Sequence, residues 1–294
     1  MTVCPYIAQH VTDTFRLQSP AFGASTDTFE RCRLNGMVSP GAGFEKLHHT
    51  CRSLVEQVRV SEKTPMLTCL LEGGSGSGKT ALAATLAIGS EFPYSKLVSA
   101  ETMVGQSEMS KCQALSKVFE DAYKSPLSLI VLDDIERLLE YVAIGPRFSN
   151  VVLQALLILL KRAPPPGRKL LVIGTTSLPE VFGAMGLLSV FNVTLHCPLL
   201  SPENVKQVLA QLDAFKTHEI DSAVALLEPE TPIKKLFMLL EMARHGGGGT
   251  PRARTGTSPS NGGSRAWKTW RGSGEVLRGG KWGRTRRRVE SKYF

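Results

Sequence analysis

Short apolar runs alternate with helix-like segments along most of the chain. Each apolar run ends in small or polar residues, which is typical of strands. The predicted strands are Met66–Glu72, Lys96–Val98, Ser128–Asp133, Lys169–Thr175 and Val193–Cys197. The predicted helices between them are Lys79–Gly89, Glu108–Lys124 and Ser149–Arg162. Near-continuous apolar strands joined by crossover helices indicate an α/β fold class, with a mainly parallel sheet flanked by helices on both faces.

The pattern changes after Ser201-Pro202. It is wholly helical as far as Met242, which predicts a small α-helical lid subdomain. From His245 onward, four glycines lead into Gly, Ser, Arg and Pro without apolar periodicity, and this composition does not form a packed core. The predicted division of the chain is an N-terminal linker at 1–19, an α/β domain at 20–200, a truncated helical lid at 201–244 and a disordered basic tail at 245–294.

The four glycines also predict where the last lid helix ends. Each costs about 1 kcal/mol relative to alanine in a helix, so Gly246–Gly249 stop it. We expect the apolar face of this helix to lose part of its cover as a result. The residues of that face are Leu236, Phe237, Leu239, Leu240 and Met242.

The formal net charge of +9 belongs to the C-terminal part of the chain. Residues 244–294 contain 13 Lys+Arg and 2 Asp+Glu, whereas residues 1–243 contain 22 and 24. All three tryptophans also fall in this segment, so it is either a nucleic-acid-binding arm or a disordered tail made by an altered reading frame. The sudden change of composition favours the disordered tail, and no specific nucleic acid is expected as a partner.

The six cysteines are scattered without a CxxC pair, which is typical of reduced thiols. No basic region precedes an apolar stretch near the N-terminus, so no secretory signal is predicted. The longest charge-free run, Val181–Pro202, contains Gly, Asn and Pro, which favour buried core over a membrane span. These features predict a soluble, cytoplasmic protein.

The strongest chemical signal is a glycine-rich loop between a predicted strand and a predicted helix. Its residues are Gly73, Gly74, Ser75, Gly76, Ser77, Gly78, Lys79 and Thr80, followed by Ala81. The spacing GxxxxGK(S/T) predicts a phosphate-binding loop in which backbone N–H groups surround a phosphate, Lys79 reaches the terminal phosphates of ATP and Thr80 binds Mg²⁺. The alternative is a glycine-rich turn with a surface lysine.

A second element supports the first. The apolar strand Ser128–Leu132 ends in Asp133 and Asp134, about fifty residues after the loop. This arrangement predicts that Asp133 completes the Mg²⁺ shell and that Asp134 is the carboxylate that polarises the attacking water. The alternative is a pair of surface aspartates at a strand end.

These residues carry a family resemblance. The segments Asp133–Tyr141, Ile144–Asn150 and Ile173–Ser177 are similar to the second AAA ATPase module of the vesicle-fusing ATPases, the N-ethylmaleimide-sensitive factor family. The resemblance runs from about Pro20 to Met242 and implies an AAA+ P-loop NTPase fold with ATP and Mg²⁺ as cofactors. The family also has an adaptor-binding N-terminal domain and a first, motor module, neither of which matches a part of this sequence.

The resemblance implies further roles. Asn35, Gly36 and Met37 resemble the segment that touches the adenine, and Thr175-Thr176 hold the first sensor position, where Thr176 has a catalytic role. Lys234 or Lys235 resembles the second sensor, although by composition the two lysines equally fit a solvated helix start. The family implies a homo-hexamer that meets SNARE complexes through adaptor proteins, by way of domains outside this sequence, and peripheral association with Golgi or vesicle membranes.

Several departures from an active AAA enzyme change the expected activity. Asp134 stands where motor modules have glutamate, and the first sensor is threonine in place of asparagine. No arginine or lysine occurs between Leu178 and Asn204, where such modules carry an arginine finger worth about 10³ to 10⁵ in rate. The expected function is therefore ATP binding that supports hexamer assembly for SNARE complex disassembly, with weak hydrolysis. The alternatives are an active ATPase motor module, and a non-functional truncated product or a nucleic-acid binder.

Overall fold

A computed structural model describes residue 38 and residues 40–144, 147–212 and 217–245. The predicted adenine-contacting residues Asn35, Gly36 and Met37 lie outside the described residues. So do the predicted linker at 1–19 and the basic tail from residue 246 onward.

Five parallel strands form one sheet. The strands are β1 (Met66–Glu72), β2 (Tyr94–Ser99), β3 (Leu127–Asp133), β4 (Lys169–Thr176) and β5 (Val193–His196). Their spatial order is β2-β3-β4-β1-β5, so that β4 separates β1 from β3. The predicted α/β fold class is confirmed, and the strand boundaries differ from those predicted by at most two residues.

Helices cover both faces of this sheet. They are α1 (Ala42–Val60), α2 (Lys79–Ser90), α3 (Glu108–Ala122), α4 (Ile135–Leu138), α5 (Asn150–Lys161) and α6 (Pro179–Ala184). Apolar residues of α3 and α5 pack on one face, and those of α1 and α2 pack on the other. The sequence analysis predicted α2, α3 and α5 and missed α1 and the short helices α4 and α6. The signal for α1 was the spacing of Leu47, Cys51, Val55 and Val58, which form its buried stripe.

The lid subdomain consists of α7 (Pro202–Gln211), α8 (Thr217–Val224) and α9 (Ile233–His245). Leu236 and Leu240 of α9 are buried against Val205 and Val208 of α7. The expectation that the apolar face of α9 loses part of its cover is wrong for Leu236, Leu239 and Leu240, which are buried, whereas Met242 of the same face is exposed. Among the side chains of α9 that the structure describes, the exposed large apolar ones are those of Met238 and Met242.

Among the helices that the structure describes, none is both long and apolar enough to cross a membrane.

Candidate nucleotide-binding site

The strand order brings three chain segments to one edge of the sheet. Because parallel strands end at the same edge, the loops after β1, β4 and β3 lie side by side there. The loop after β1 begins at Gly73, the segment after β4 begins at Ser177, and Asp133 is the last residue of β3. The phosphate-loop motif and the two aspartates, about fifty residues apart in sequence, are therefore neighbours in space.

The phosphate loop requires glycine where its backbone turns. Gly78 has a φ of 98° and precedes the first residue of α2, and no side chain caps that helix. At Gly73, a Cβ atom would lie 2.3 Å from the carbonyl oxygen of Cys197. The loop thus ends in a helix N-terminus whose first N–H groups lack an intrahelical acceptor, which is a favourable place for an anion.

Lys79 is folded back onto the loop that precedes it. Its side chain is 5% exposed, and its Nζ donates hydrogen bonds of 2.8 Å to the carbonyl of Gly73 and 2.9 Å to that of Gly74. Burial lowers the pKa of Lys79, and the nearby carboxyl groups of Asp133 and Asp134 oppose this by favouring the charged form. The ammonium group is thus held at the loop without a carboxylate hydrogen bond.

The two predicted metal ligands are in direct contact. The hydroxyl of Thr80 donates to Oδ1 of Asp133 at 2.8 Å. The hydroxyl of Thr175 donates to the same oxygen at 2.8 Å and accepts from the backbone N–H of Asp134 at 2.8 Å. Thr175 therefore fixes the end of β3 from the neighbouring strand.

Asp134 has an unusual backbone. Its φ of 48° and ψ of 61° place it in the left-handed region, where a non-glycine residue is uncommon. Its Oδ2 lies 3.3 Å from Nε of Arg137, one turn further along. The carboxylate predicted to polarise water is thus paired with a cation of its own segment.

The two threonines predicted for the first sensor position differ in their contacts. Thr175, not Thr176, contacts Asp133, because consecutive residues of a strand point to opposite faces of the sheet. The hydroxyl of Thr176 instead accepts from the backbone N–H of Leu178 at 3.1 Å. The catalytic role of Thr176 stays a prediction without a contact to the aspartates.

Sequence reasoning missed one buried carboxylate of this site. Glu136 is 8% exposed, and its Oε1 accepts from the backbone N–H of Ser177 at 2.9 Å. It thereby joins the helix after β3 to the segment after β4. The available signal was its position two residues after the aspartate pair, at the start of α4.

The lid contacts the phosphate loop through the start of α9. The backbone N–H of Lys234 donates to the carbonyl of Gly76 at 3.2 Å. Nζ of Lys235 lies 3.1 Å from Oε2 of Glu228 and donates a hydrogen bond to it. Of the two lysines predicted for the second sensor, Lys234 is therefore the one beside the loop.

The residues present fit a Mg²⁺-bound nucleotide. The hydroxyl of Ser77 is buried without a hydrogen-bond partner inside the loop, and the uncapped start of α2 offers further donors. Thr80 and Asp133 supply the hard oxygen ligands that Mg²⁺ prefers. The described residues contain no cluster of three or more His, Cys, Asp or Glu side chains able to hold a metal ion.

A five-stranded parallel sheet, a phosphate loop after β1 and an aspartate pair after β3 together define a P-loop nucleoside triphosphatase domain. Residues 69–199 match the model of the ATPase family associated with various cellular activities, the AAA family. The chain therefore carries an AAA domain, and its similarity to known proteins shows that this domain is of the vesicle-fusing type.

Relatives at several levels of identity support this assignment. The chain is 58% identical to a vesicle-fusing ATPase of Arabidopsis thaliana over 230 residues, which is 78% of this chain and 31% of the relative. It is 44% identical to a vesicle-fusing ATPase of Dictyostelium discoideum over 226 residues, 77% of the chain and 31% of the relative. The corresponding match to the vesicular-fusion protein SEC18 of Saccharomyces cerevisiae is 36% over 233 residues, 77% of the chain and 31% of the relative. The predicted resemblance is confirmed, and the chain spans about a third of the length of these relatives.

Proposed function

We propose that this chain binds ATP with Mg²⁺ at Gly73–Thr80, assembles in a nucleotide-dependent way and hydrolyses ATP slowly. The observation that carries the proposal is the contact between Thr80 and Asp133 beside the buried Lys79. These three side chains come from two separate segments and converge at an uncapped helix N-terminus. A glycine-rich turn with a surface lysine would not bury that lysine or pair the threonine with an aspartate.

Each residue has a defined part in binding. Backbone N–H groups of the loop and of the first turn of α2 would hold the phosphates, while Lys79 would leave the carbonyls of Gly73 and Gly74 to contact them. Thr80 and Asp133 would hold Mg²⁺, which neutralises phosphate charge. Because Lys234 lies against Gly76, the lid would close over the same phosphates.

Slow hydrolysis is inferred from how Asp134 is held. Its carboxylate is paired with Arg137 at 3.3 Å, so polarising a water molecule requires that this pair opens. The segment from Leu178 to Asn204 also supplies no arginine or lysine to a neighbouring subunit. An arginine finger raises the rate of hydrolysis by a factor of about 10³ to 10⁵. The lack of such a residue should therefore lower the rate more than the position of the Asp134 carboxylate does.

The names of the relatives support a proposal for the role of the whole protein. Several of them are named for vesicle fusion, and by analogy this module would support a homo-hexamer that disassembles SNARE complexes recruited by adaptor proteins. By the family resemblance, Met103 stands where motor modules carry the aromatic residue of their substrate-threading loop, and here it is buried and packs in the core. This supports an assembly role in preference to a motor role. Peripheral association with Golgi or vesicle membranes belongs to the same proposal.

Calorimetric titration with ATP and Mg²⁺ tests the binding site. The variant Lys79→Ala should lose measurable ATP binding, because Lys79 is the only positively charged residue of the loop Gly73–Thr80. Lys117→Ala, at an exposed position on α3, is the matched control and should bind ATP like the unmodified chain. Unchanged ATP affinity in Lys79→Ala would show that the site is wrongly assigned.

Light scattering with and without ATP tests assembly. The chain should form larger species with ATP and Mg²⁺, and Lys79→Ala should not. If both proteins have the same size under all conditions, nucleotide-dependent assembly by this chain is refuted, whereas ATP binding measured separately stands.

Steady-state hydrolysis tests the catalytic part. The rate should lie below about 1 s⁻¹, and Asp134→Glu should not raise it to the ordinary enzyme range, because the missing cation is the larger deficit. A rate well above that value in either protein would favour the motor alternative.

A further inference from the structure

Arg137 is an exposed cation at the edge of the nucleotide site that the binding steps above do not use. Its side chain is 72% exposed, and its Nε lies 3.3 Å from Oδ2 of Asp134. Exposed ion pairs between residues one helical turn apart contribute little to stability, so this pair does not by itself account for an arginine at this position. A role in the site is the alternative explanation.

Most of the donor groups of Arg137 are unused. A guanidinium group carries five N–H donors in a planar fork, one on Nε and four on the two Nη atoms. Within the part of the chain that the structure describes, the contact of Nε with Asp134 is the only polar contact of the Arg137 side chain. The Nη side of the fork is therefore free to bind an anion, and its planar geometry suits the oxygen atoms of a phosphate.

Asp134 places Arg137 beside the phosphate site. The backbone N–H of Asp134 donates to Oγ1 of Thr175 at 2.8 Å, so the residue that holds Arg137 is itself fixed next to Asp133. Burial lowers the pKa of Lys79, and the charge of Asp134 is among those that oppose this, so the Asp134 carboxylate lies near the ammonium group. Both cations are thus close to the same carboxylate.

The charges of the site favour a further cation for a bound nucleotide. Three segments converge there, at 73–80, 133–138 and 175–178. Their carboxyl groups belong to Asp133, Asp134 and Glu136, and their cations are Lys79 and Arg137. Because like charges repel each other at short distance, the terminal phosphate of ATP is stable beside these carboxylates only if cations offset the repulsion. Lys79 and Mg²⁺ supply part of this compensation, and Arg137 is the remaining cation of the three segments.

We propose that Arg137 binds the terminal phosphate of ATP within its own chain while Asp134 holds its Nε. The two Nη atoms donate to phosphate oxygens that ADP lacks, so the site prefers ATP. Because the guanidinium stays paired with Asp134, that carboxylate is a weaker base towards water, and the bound ATP is retained instead of being hydrolysed. The inference rests on the proposed function, namely that ATP binds at Gly73–Thr80.

The binding test compares two nucleotides. Dissociation constants of a non-hydrolysable ATP analogue and of ADP, both with Mg²⁺, are measured by calorimetry on the full chain. Arg137→Ala should weaken binding of the ATP analogue about tenfold or more, the effect of a hydrogen bond between charged groups, and should change ADP binding by less than about twofold. Arg137→Lys keeps the charge but not the fork, so its affinity for the ATP analogue should lie between the two.

Lys124→Ala is the matched control. Lys124 is 76% exposed and is paired with Asp121 at the same spacing of three residues, so this variant also breaks an exposed ion pair. Lys124 precedes β3, whereas Asp133 is its last residue, so the two lie at opposite edges of the sheet. Lys124→Ala should change neither affinity.

The turnover number separates retention of ATP from catalysis. With radiolabelled ATP at saturating concentration, Arg137→Ala should turn over at least as fast as the unmodified chain, while its KM should rise about tenfold. The loss of an arginine that acts as a finger instead lowers the rate by a factor of about 10³ to 10⁵. A fall of that kind would overturn the proposal.

The remaining outcomes separate this inference from the proposed function. Equal weakening of both nucleotides in Arg137→Ala would mean that Arg137 acts through the fold, and an unchanged preference for ATP would mean that it does not contact the phosphate; either result overturns the proposal. If Arg137→Ala does not fold, Arg137→Gln carries the same expectation and the same two contrary results. Equal affinity of the unmodified chain for both nucleotides would refute this inference alone, whereas failure to bind either one would refute the proposed function as well.

Discussion

Thr80 and Asp133 are 53 residues apart in sequence, and their side chains are joined by a hydrogen bond of 2.8 Å. Thr80 lies in the first turn of α2, and Asp133 is the last residue of β3, a strand that is not adjacent to β1. The contact crosses the end of β4, where Thr175 donates to the same aspartate oxygen. One carboxylate oxygen thus unites the three segments that form the site.

The first prediction concerns magnesium. Asp133→Asn removes the carboxylate charge but keeps an oxygen acceptor for Thr80 and Thr175. We expect Mg²⁺ to raise the ATP affinity of the unmodified chain and to have little effect on the variant, because a neutral amide is a weaker ligand for a hard cation. Titrations with ATP, run once in Mg²⁺ and once in EDTA, measure this effect of Mg²⁺ on ATP affinity in each protein. An equal Mg²⁺ effect in both proteins would exclude Asp133 from the metal site.

The second prediction uses the acid–base behaviour of the same residue without metal. Burial raises the pKa of Asp133 above its ordinary value of 3.8, and hydrogen bonds from Thr80 and Thr175 only partly offset this. A raised folded-state pKa favours the protonated form, so the stability it contributes is complete at low pH and is lost as the pH rises through the folded-state pKa.

Thermal unfolding in EDTA from about pH 4 to about pH 7 checks this sign. The midpoint of the unmodified chain should fall relative to that of Asp133→Asn as the pH increases. A difference that stays constant over this range would show that the Asp133 carboxyl has the same pKa in the folded and unfolded chain.

The third prediction separates the two lid lysines. Lys234→Ala should weaken ATP binding about tenfold, because its backbone N–H donates to the carbonyl of Gly76 and its side chain starts next to Gly76 of the proposed phosphate site. Lys235→Ala breaks an ion pair with the half-exposed Glu228, which contributes about 0 to 1 kcal/mol to stability, and should leave ATP affinity nearly unchanged. Calorimetry gives the affinities, and the reverse pattern would assign the sensor role to Lys235.

The fourth prediction concerns a glycine that fixes the packing behind the site. A Cβ atom at Gly174 of β4 would lie 2.8 Å from Cδ1 of Ile135 and 2.9 Å from Cζ of Phe191. Gly174→Ala should therefore lower the free energy of unfolding by about 1 to 3 kcal/mol.

Gly89→Ala is the matched control for this substitution. No heavy atom lies within 4 Å of a Cβ atom built there, and the residue is in helix α2, so alanine should raise stability by about 0.5 to 1 kcal/mol. Urea unfolding measures both changes. Equal effects at the two positions would contradict the described packing of β4 against α4.

The fifth prediction concerns thiol reactivity. The four described cysteines are free thiols, and burial raises the pKa of Cys51 to about 12 and that of Cys197 to about 11. Because the thiolate is the reactive form, these two and the buried Cys69 should resist iodoacetamide near neutral pH, whereas the partly exposed Cys112 should react. Peptide mass spectrometry reads the labelling, and the urea-unfolded chain is the control in which all should react. Rapid labelling of Cys197 in the folded chain would show that its contact with Gly73 of the phosphate loop opens.

The sequence by itself determined the parts of this protein that depend on local pattern. The phosphate loop is a contiguous motif, and its neighbours Met66–Glu72 and Lys79–Ser90 are a strand and a helix because of their own apolar spacing. Asp133 and Asp134 were found in the same way, from an apolar strand that ends in acidic residues. Helix α1 was missed because its buried positions stand among polar residues, which weakens the local signal.

Only the tertiary structure decided which side chains meet. That Thr175 and not Thr176 contacts Asp133 depends on the orientation of β4 between β1 and β3. The hydrogen bond from Ser177 to Glu136 joins residues 41 apart, and no periodicity along the chain marks it. The lid likewise places Lys234 at the loop and Lys235 at Glu228. Local sequence fixes backbone conformation through steric and hydrophobic preferences, whereas contacts between distant residues are set by the packing of whole strands and helices.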